Sequence, residues 1–299
     1  METMQNAKIY LKPGRAKSSN QIKKSVKLAG AYVILIFAII LSLLPLLWIV
    51  TTSIDTTGTL SSTLVGLIPK KITFANYEKL FNSTSNSFLG CLKNSSIVAI
   101  ATTCISLMLG MTAAYAYSRF RFYGRKSILT MFLLLNAFPS ILSIVALFKL
   151  LSALNLMNSL LGLILVNCGG QLIFVVWNLK GYFDTLPYEI EEAAFIDGAT
   201  SLQILTKILF PLSKPAVAVT ALFAFMSTWN EYIMAMSFTT DKKLFTLPVF
   251  LWSIQNSGDY SMNWPLFCAG SLVVALPIII VFLILQRSIV SGLHVGGGK

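Results

Sequence analysis

Six long apolar runs, separated by short polar stretches, dominate the pattern of hydrophobic and polar positions along this chain. A membrane-spanning helix needs about 20 mostly apolar residues. The runs that approach or exceed this length cover residues 28–53, 95–117, 128–148, 160–177, 216–238 and 266–285. The pattern therefore predicts an all-α membrane protein with six transmembrane helices.

The first run and the prolines of the later runs do not change this prediction. Run 28–53 is too long for the apolar core of a signal peptide and no small-residue cleavage site follows it, so we expect it to remain as a helix. Pro45, Pro139 and Pro277 lie within or near the ends of runs. Membrane helices tolerate such prolines where neighbouring groups satisfy the freed carbonyl.

Composition supports a membrane protein over a soluble domain. Of the 299 residues, 56% are hydrophobic and only 11% are charged, which is little charge for a soluble domain of this length. The net charge of +12 could indicate a nucleic-acid partner. The basic residues, however, are confined to the ends and to the loops between apolar runs, which is typical of membrane topology.

Lysine and arginine predict the orientation of the spans. Seven cations occupy the N-terminal tail: Lys8, Lys12, Arg15, Lys17, Lys23, Lys24 and Lys27. The loop after the second run holds Arg119, Arg121, Arg125 and Lys126 without an acidic residue. Basic loops face the cytoplasm. We therefore expect both termini, and the polar segment between the fourth and fifth spans, to be cytoplasmic.

This topology predicts the organisation of the chain. We expect a basic tail at 1–27, a first span at 28–53, an outer loop at 54–91, a core of spans at 92–287 and a second tail at 288–299. A further outer loop, 239–265, contains the polar and aromatic residues Trp252, Asp259, Tyr260 and Trp264. Aromatic residues near the end of a span are usually interfacial anchors. The alternative is a contact surface for an external partner.

Metal chemistry and enzyme catalysis find little support in the sequence. The cysteines Cys91, Cys104, Cys168 and Cys268 are scattered, and three lie within apolar runs, so we interpret them as packing residues. His294 has no carboxylate or cysteine close to it in sequence, which argues against a metal site. No cluster of histidine, cysteine or paired carboxylates converges beside the spans, as a membrane enzyme would require.

The stretch "EIEEAAFIDGATSLQILTKILFPLSKP", 189–215, is unusually polar for this chain. Thr185 is a candidate cap for a helix that carries three glutamates near its positive end. Gly198 can adopt a positive φ and end that helix. A second helix can begin at Thr200 or Ser201 and run to about residue 210, where Pro211 blocks its continuation. The pattern predicts two short helices joined by a tight turn.

Two interpretations of this segment remain open on physical grounds. Ala193 and Ala194 present almost no side chain, so another protein could approach the first helix closely while the flanking carboxylates pair with a basic groove. The segment could instead be an amphipathic loop on the membrane surface. Surface helices of that kind usually carry lysine on their polar side, and glutamate predominates here.

The order of residues over about 184–215 resembles the EAA loop of binding-protein-dependent ABC importer permeases. The matching positions are Glu192-Ala193-Ala194, Asp197-Gly198-Ala199, then Ile208, Leu209 and Pro211. In that family the loop forms coupling helices that dock on the ATPase subunit. The resemblance therefore implies coupling roles for Glu192, Ala193, Ala194, Asp197, Gly198, Ala199 and Pro211.

The resemblance extends over most of the chain. The stretches "WNLKGYF" and "QRSIVSGLHVGGGK" are similar to the smaller permease subunit of maltose and maltodextrin transporters, and "NYEKLF" and "KNSSIVA" to the wider carbohydrate branch. It implies the type I ABC importer permease fold in a bacterial inner membrane, with an oligosaccharide substrate, specifically maltose or a maltodextrin. Implied partners are a second, larger permease, an extracytoplasmic sugar-binding protein, and an ATPase dimer that binds ATP and magnesium. Another sugar, or a glycerol-phosphate-type solute, remains an alternative.

Three other features leave alternatives open. The terminal "GGGK" lacks the earlier glycine of a phosphate-binding loop, so this chain is not expected to bind ATP. The tail either reaches the ATPase or frays.

Asn230 and Glu231 form a polar pair inside a span, with either a translocation-path or a helix-packing role. A secondary transporter usually needs coupling groups at mid-membrane and often an inverted repeat, and no convincing repeat is present.

Overall fold

The computed structural model describes residues 19–56, 71–82, 87–255 and 263–295, with side chains except at 19–26, 140 and 290–295. Within these ranges the fold is all-helical, as predicted, and the one β pairing is an isolated bridge between Asp55 and Ile72. The N-terminal tail to residue 18, Asp259, Tyr260 and the terminal "GGGK" lie outside the described residues. The chain divides into two units, Met1–Ile49 and Val50–Lys299.

The described residues form thirteen α-helices. They are α1 Ser19–Ser53, α2 Ala75–Phe81, α3 Phe88–Arg119, α4 Arg125–Ala137, α5 Ile144–Ala153, α6 Leu160–Phe183, α7 Glu189–Ile196, α8 Ser201–Ile204, α9 Phe210–Leu212, α10 Lys214–Trp229, α11 Ile233–Phe238, α12 Leu247–Gln255 and α13 Trp264–Val295. A π-helical turn, Leu205–Leu209, joins α8 to α9. The predicted outer loop 239–265 therefore contains a helix, α12, that the sequence pattern did not indicate.

Four of these helices, α1, α3, α6 and α13, are long and apolar enough to cross a membrane. Two further spans exist only if a bent pair counts as one span: α4 with helix 141–153, bent by 93°, and the helical stretch 201–212 with α10, bent by 84°. The part of the chain that the structure describes thus contains four to six candidate spans, and the prediction of six lies at the upper end of that range.

Two of the predicted runs are not straight helices. Run 128–148 divides between α4 and α5, with Pro139 and a 3₁₀ turn from Ser140 to Ser143 between them. Proline cannot donate the helical hydrogen bond, and its ring clashes with the carbonyl four residues earlier. Run 216–238 divides between α10 and α11 at residues 230–232, where Asn230 and Glu231 are located.

The centre of the second unit is the packing of α3 on α6. Small residues of α3 allow this close approach, as is usual between membrane helices. A Cβ added at Gly110 would lie 2.4 Å from Cγ1 of Val175, so the two backbones are in near contact there. The end of α6, Phe183, leads into the polar segment, and the end of α3, Arg119, lies against it.

Candidate functional site

The polar segment folds as two short helices joined at Gly198, as the sequence predicts. Gly198 ends α7 with φ +81°, a backbone conformation that strains residues with a side chain. Thr200 then caps α8 through a reciprocal pair of hydrogen bonds. Its Oγ1 accepts from the backbone N–H of Gln203 at 3.4 Å, and Oε1 of Gln203 accepts from the backbone N–H of Thr200 at 2.9 Å.

The predicted ends of these helices need two corrections. Thr185 does not cap α7, because its hydroxyl donates to the carbonyl of Tyr182 at 2.7 Å and the helix begins only at Glu189. Pro211 does not end the second helix. A π-helical turn precedes it, and the wider turn leaves room for the proline ring. The break falls instead at the buried Ser213, between α9 and α10.

Helix α7 has an exposed face and a buried face. Glu192, Ala193 and Asp197 are exposed, together with large apolar residues; Ile196 is 86% exposed. Ala194 is only 8% exposed, so the expectation that both alanines form one contact surface is wrong for Ala194. We refer to the exposed set as the docking face; it comprises Glu192, Ala193, Phe195, Ile196, Asp197 and Leu202.

The buried face of the segment packs against the ends of α3 and α6. Ala194 and residues of the second short helix join buried residues of both spans in one cluster, which we call the coupling cluster. Its members are Ala114, Tyr115, Val175, Leu179, Phe183, Ala194, Ile204, Leu205 and Leu209. Because Ala194 has almost no side chain, the first short helix can lie close to this cluster. The docking face therefore rests on the core of the unit.

A buried ion pair fixes α7 to the end of α3. Nε of Arg119 lies 2.5 Å from Oε1 of Glu191, and both side chains are only 5% exposed. The same guanidinium lies over the ring of Tyr188, 4.2 Å from its centroid, and its Nη2 donates to the carbonyl of Leu186 at 3.2 Å. Arg119 thus contacts α7 at one point, Glu191, and the connection that leads into α7 at two, Tyr188 and Leu186.

A second polar contact joins α3 to the end of α6. Oγ of Ser118 donates to Oδ1 of Asp184 at 2.7 Å, while Nζ of Lys180 lies 2.5 Å from Oδ2 of the same carboxylate. Burial alone would raise the pKa of Asp184, but hydrogen bonds from Lys180 and Ser118 outweigh it and lower that pKa. Asp184 therefore remains charged at neutral pH and holds the two spans together where the polar segment begins.

Sequence reasoning did not identify Arg119 or Glu191 as site residues. It assigned Arg119 to the basic loop that sets orientation and Glu191 to the acidic first turn of a helix. The available signal was the position of Arg119 at the very end of an apolar run and that of Glu191 beside the Glu192-Ala193-Ala194 motif. Their pairing depends on tertiary packing, since 72 residues separate them.

Asn230 and Glu231 lie at the break between α10 and α11, away from the polar segment. The carboxylate of Glu231 accepts from the backbone N–H groups of Met234 at 2.7 Å and Ala235 at 3.0 Å. Nδ2 of Asn230 donates to the carbonyl of Met226 at 2.9 Å. Glu231 thus satisfies backbone N–H groups that the break leaves free. The carbonyl of Met226 already accepts from the backbone N–H of Asn230 at 3.1 Å, so the amide of Asn230 is a second donor to it. A role in the translocation path remains a prediction.

We expect Glu231→Ala to lower the free energy of unfolding by about 0.5–2 kcal/mol, because two N–H groups of α11 lose their acceptor. Glu231→Gln keeps one acceptor oxygen and should lose less. Denaturation of the detergent-solubilised protein measures both variants. Equal stability of Glu231→Ala and the wild type would show that this carboxylate does not cap α11.

Known proteins resemble this chain over most of its length. Residues 106–293 match the family of binding-protein-dependent transport system inner membrane components. The galactooligosaccharides transport system permease protein GanQ of Bacillus subtilis is 36% identical over 280 residues, which cover 93% of this chain and 98% of GanQ. The maltodextrin transport system permease protein MdxG of the same organism is 36% identical over 227 residues, covering 76% and 81% of the two chains.

A solved structure shows the same architecture. One chain of a bacterial ABC transporter involved in the import of the acidic polysaccharide alginate superposes with a TM-score of 0.74 and 25% sequence identity. The match covers 92% of the present chain and 99% of that chain. The break between α4 and α5 and the bend before α10 both lie inside the 106–293 region matched by the family.

Proposed function

Because the chain belongs to the family of binding-protein-dependent transport system inner membrane components, we propose that it is one permease subunit of an ATP-driven sugar importer. In this proposal the docking face couples ATP hydrolysis on separate subunits to transport. The permease itself supplies half of the translocation path. Both termini lie in the cytoplasm, on the side of the docking face, as the distribution of lysine and arginine indicates.

The observation that carries this proposal is the contrast between the two faces of α7. A short helix that exposes Phe195 and Ile196 to water, at 49% and 86% exposure, exposes apolar area that favours contact with a partner. The buried Arg119–Glu191 pair holds the other face to the spans. The exposed carboxylates of Glu192 and Asp197 suit a partner with basic groups around an apolar groove.

The proposed partners follow from this arrangement. One permease chain offers one docking face, so an ATPase dimer requires a second face, which we assign to a second, larger permease subunit. ATP and magnesium belong to the ATPase dimer. The family is binding-protein-dependent, which supports an extracytoplasmic sugar-binding protein as the source of substrate. The polar segment that carries the docking face is built or shaped by Glu192, Ala193, Asp197, Gly198, Ala199 and Pro211. Ala194 acts through the coupling cluster.

The proposed substrate is an oligosaccharide, and more specifically a maltodextrin. Two similar permeases, MdxG of Bacillus subtilis and MalD of Streptococcus pneumoniae, are named for maltodextrin transport, each 36% identical to this chain. Others are named for galactooligosaccharides and for trehalose, at 36% and 35% identity. All four are named for saccharides, which supports the substrate class. The four permeases are 35–36% identical to this chain, so the experiment compares their sugars directly.

The test is an uptake assay with the complex purified from native membranes. We expect a second integral protein and an ATPase to copurify, and ATP-dependent uptake of labelled maltotriose into proteoliposomes that contain the binding protein. Galactooligosaccharide, trehalose and an amino acid serve as the comparison panel. Preferred uptake of another sugar would correct the maltodextrin assignment. Amino-acid uptake, transport without ATP, or isolation of only a homodimer would contradict the proposal itself.

A further inference from the structure

An open cavity of about 800 Å³ lies at the turn between α3 and α4, beside the end of α6. Four cations line it: Arg121, Arg125, Lys126 and Lys180. Phe122 and Leu129 contribute apolar surface to the same cavity. None of these residues contributes to the docking face. The cavity thus forms a separate feature at the same end of the spans.

The charges around this cavity are not balanced. Lys180 is paired with Asp184 at 2.5 Å. Within the described part of the chain, no carboxylate lies within 4.0 Å of a side-chain nitrogen of Arg121, Arg125 or Lys126. Arg121 and Lys126 are exposed, and Nη1 of Arg125 donates only to the carbonyl of Phe120, at 3.4 Å. Cations that line one cavity repel one another, so an anion among them is favourable.

The surface next to the cavity indicates which anion fits. The exposed surface of α4 is strongly apolar beyond its first turn; Met131, Leu133 and Leu134 are 51%, 50% and 67% exposed. Helix α4 also begins at the cavity, and the first turn of a helix attracts negative charge. A ligand that matches both parts needs an anionic group for the cations and long apolar chains for the helix.

We propose that this cavity binds the phosphate headgroup of an anionic phospholipid from the leaflet that surrounds this end of the spans. The phosphate lies between Arg121 and Lys126, and the acyl chains follow the exposed surface of α4. Basic pockets between membrane helices bind anionic headgroups in this way. A soluble phosphate ester shares the headgroup chemistry but has no acyl chains, so apolar contacts separate the two sources. The proposal concerns lipid and does not depend on which sugar is transported.

Native mass spectrometry of the full-length protein, purified with the subunits that accompany it, tests this site. The probes are phosphatidylglycerol, phosphatidylcholine with the same acyl chains, and soluble glycerol 3-phosphate. Each cation near an anionic surface contributes about a fivefold factor in affinity, so Arg121→Gln with Lys126→Gln should weaken phosphatidylglycerol binding roughly 20- to 30-fold. Arg121→Lys with Lys126→Arg keeps both charges and should bind within a few-fold of the wild type.

The matched control removes two cations elsewhere. Lys242→Gln with Lys243→Gln changes the net charge equally at two exposed positions and should leave phosphatidylglycerol binding within about twofold. Unchanged phosphatidylglycerol binding by Arg121→Gln with Lys126→Gln would overturn the proposal. Equal binding of phosphatidylcholine would do the same. Glycerol 3-phosphate binding as tightly as the lipid, and displacing it, would show that the site takes a soluble anion.

Discussion

Replacement of Ala193 by tryptophan should abolish ATP-driven uptake while the protein accumulates in the membrane at its normal level. Ala193 is exposed on the docking face, so the indole should project into solvent without displacing neighbouring residues of this chain. It would instead hold the docking face away from the ATPase, and the contacts that bias the transport equilibrium would be lost. Uptake, membrane level and copurification of the ATPase are the three measurements.

Ala194→Trp is the matched control for this variant. The residue is the next one along the same helix, but it is 8% exposed and belongs to the coupling cluster. Overpacking of a close-packed core costs about 1–3 kcal/mol, so this variant should lose stability as well as uptake. If Ala193→Trp transports normally, or if it is lost from the membrane as Ala194→Trp should be, Ala193 does not lie at a docking surface.

Gly198 tests the same surface through the backbone. No atom lies within 4 Å of a Cβ added there, so space is not limiting and only the φ of +81° restricts substitution. Gly198→Val should strain the turn by about 1–3 kcal/mol and misalign the two short helices. Gly198→Asn, which tolerates a positive φ, should retain uptake. Equal loss of uptake in both variants would mean that the turn conformation is not what matters.

The second large effect is expected at the buried ion pair. Arg119→Met or Glu191→Leu should each lower the free energy of unfolding by about 3–5 kcal/mol, because each leaves one charge buried without its partner. The double variant removes both charges and should be less destabilised than either single variant. Denaturation of detergent-solubilised protein, read as a double-mutant cycle, measures the coupling between the two residues.

The Lys180–Asp184 pair provides the comparison for this cycle. Asp184 is 41% exposed at its side chain, and exposed ion pairs contribute about 0–1 kcal/mol. Lys180→Met should therefore have a small effect on stability. Additive losses in the Arg119 and Glu191 cycle would show that the two side chains do not act as a pair. Loss of ATPase copurification in the single variants would further link the pair to the docking face.

Local signals explain what could be predicted from the sequence. Gly198 ends a helix through its own backbone freedom, and Thr200 caps the next helix through a residue three positions later, so both could be recognised without knowledge of the fold. The apolar runs likewise indicated where the spans lie. Whether a proline bends a membrane helix depends on its neighbours, so the sequence could not predict that the helix axis turns by 93° at Pro139.

The remaining features depend on residues that are distant in sequence. Ala193 and Ala194 are identical neighbours, and only the packing of α7 on Phe183 and Ile204 shows that one is exposed and the other buried. The partner of Glu191 is supplied by α3. Pro211 carries a strong helix-ending signal, yet the π turn before it moves the break to Ser213. Glu231 caps α11 after a helix break that periodicity could not detect.

If the docking face couples ATP hydrolysis to transport as proposed, the bend before α10 sets the direction in which its movement acts on the membrane helices. The coupling cluster makes the polar segment and the ends of α3 and α6 one close-packed body, and such bodies transmit strain with little compression. A force applied at Ile196 would therefore displace the polar segment and the ends of α3 and α6 together. The axes of stretch 201–212 and α10 cross at 84°. Under the proposed coupling, a displacement along the axis of stretch 201–212 would be nearly perpendicular to α10 and would tilt this helix more than shift it along its length.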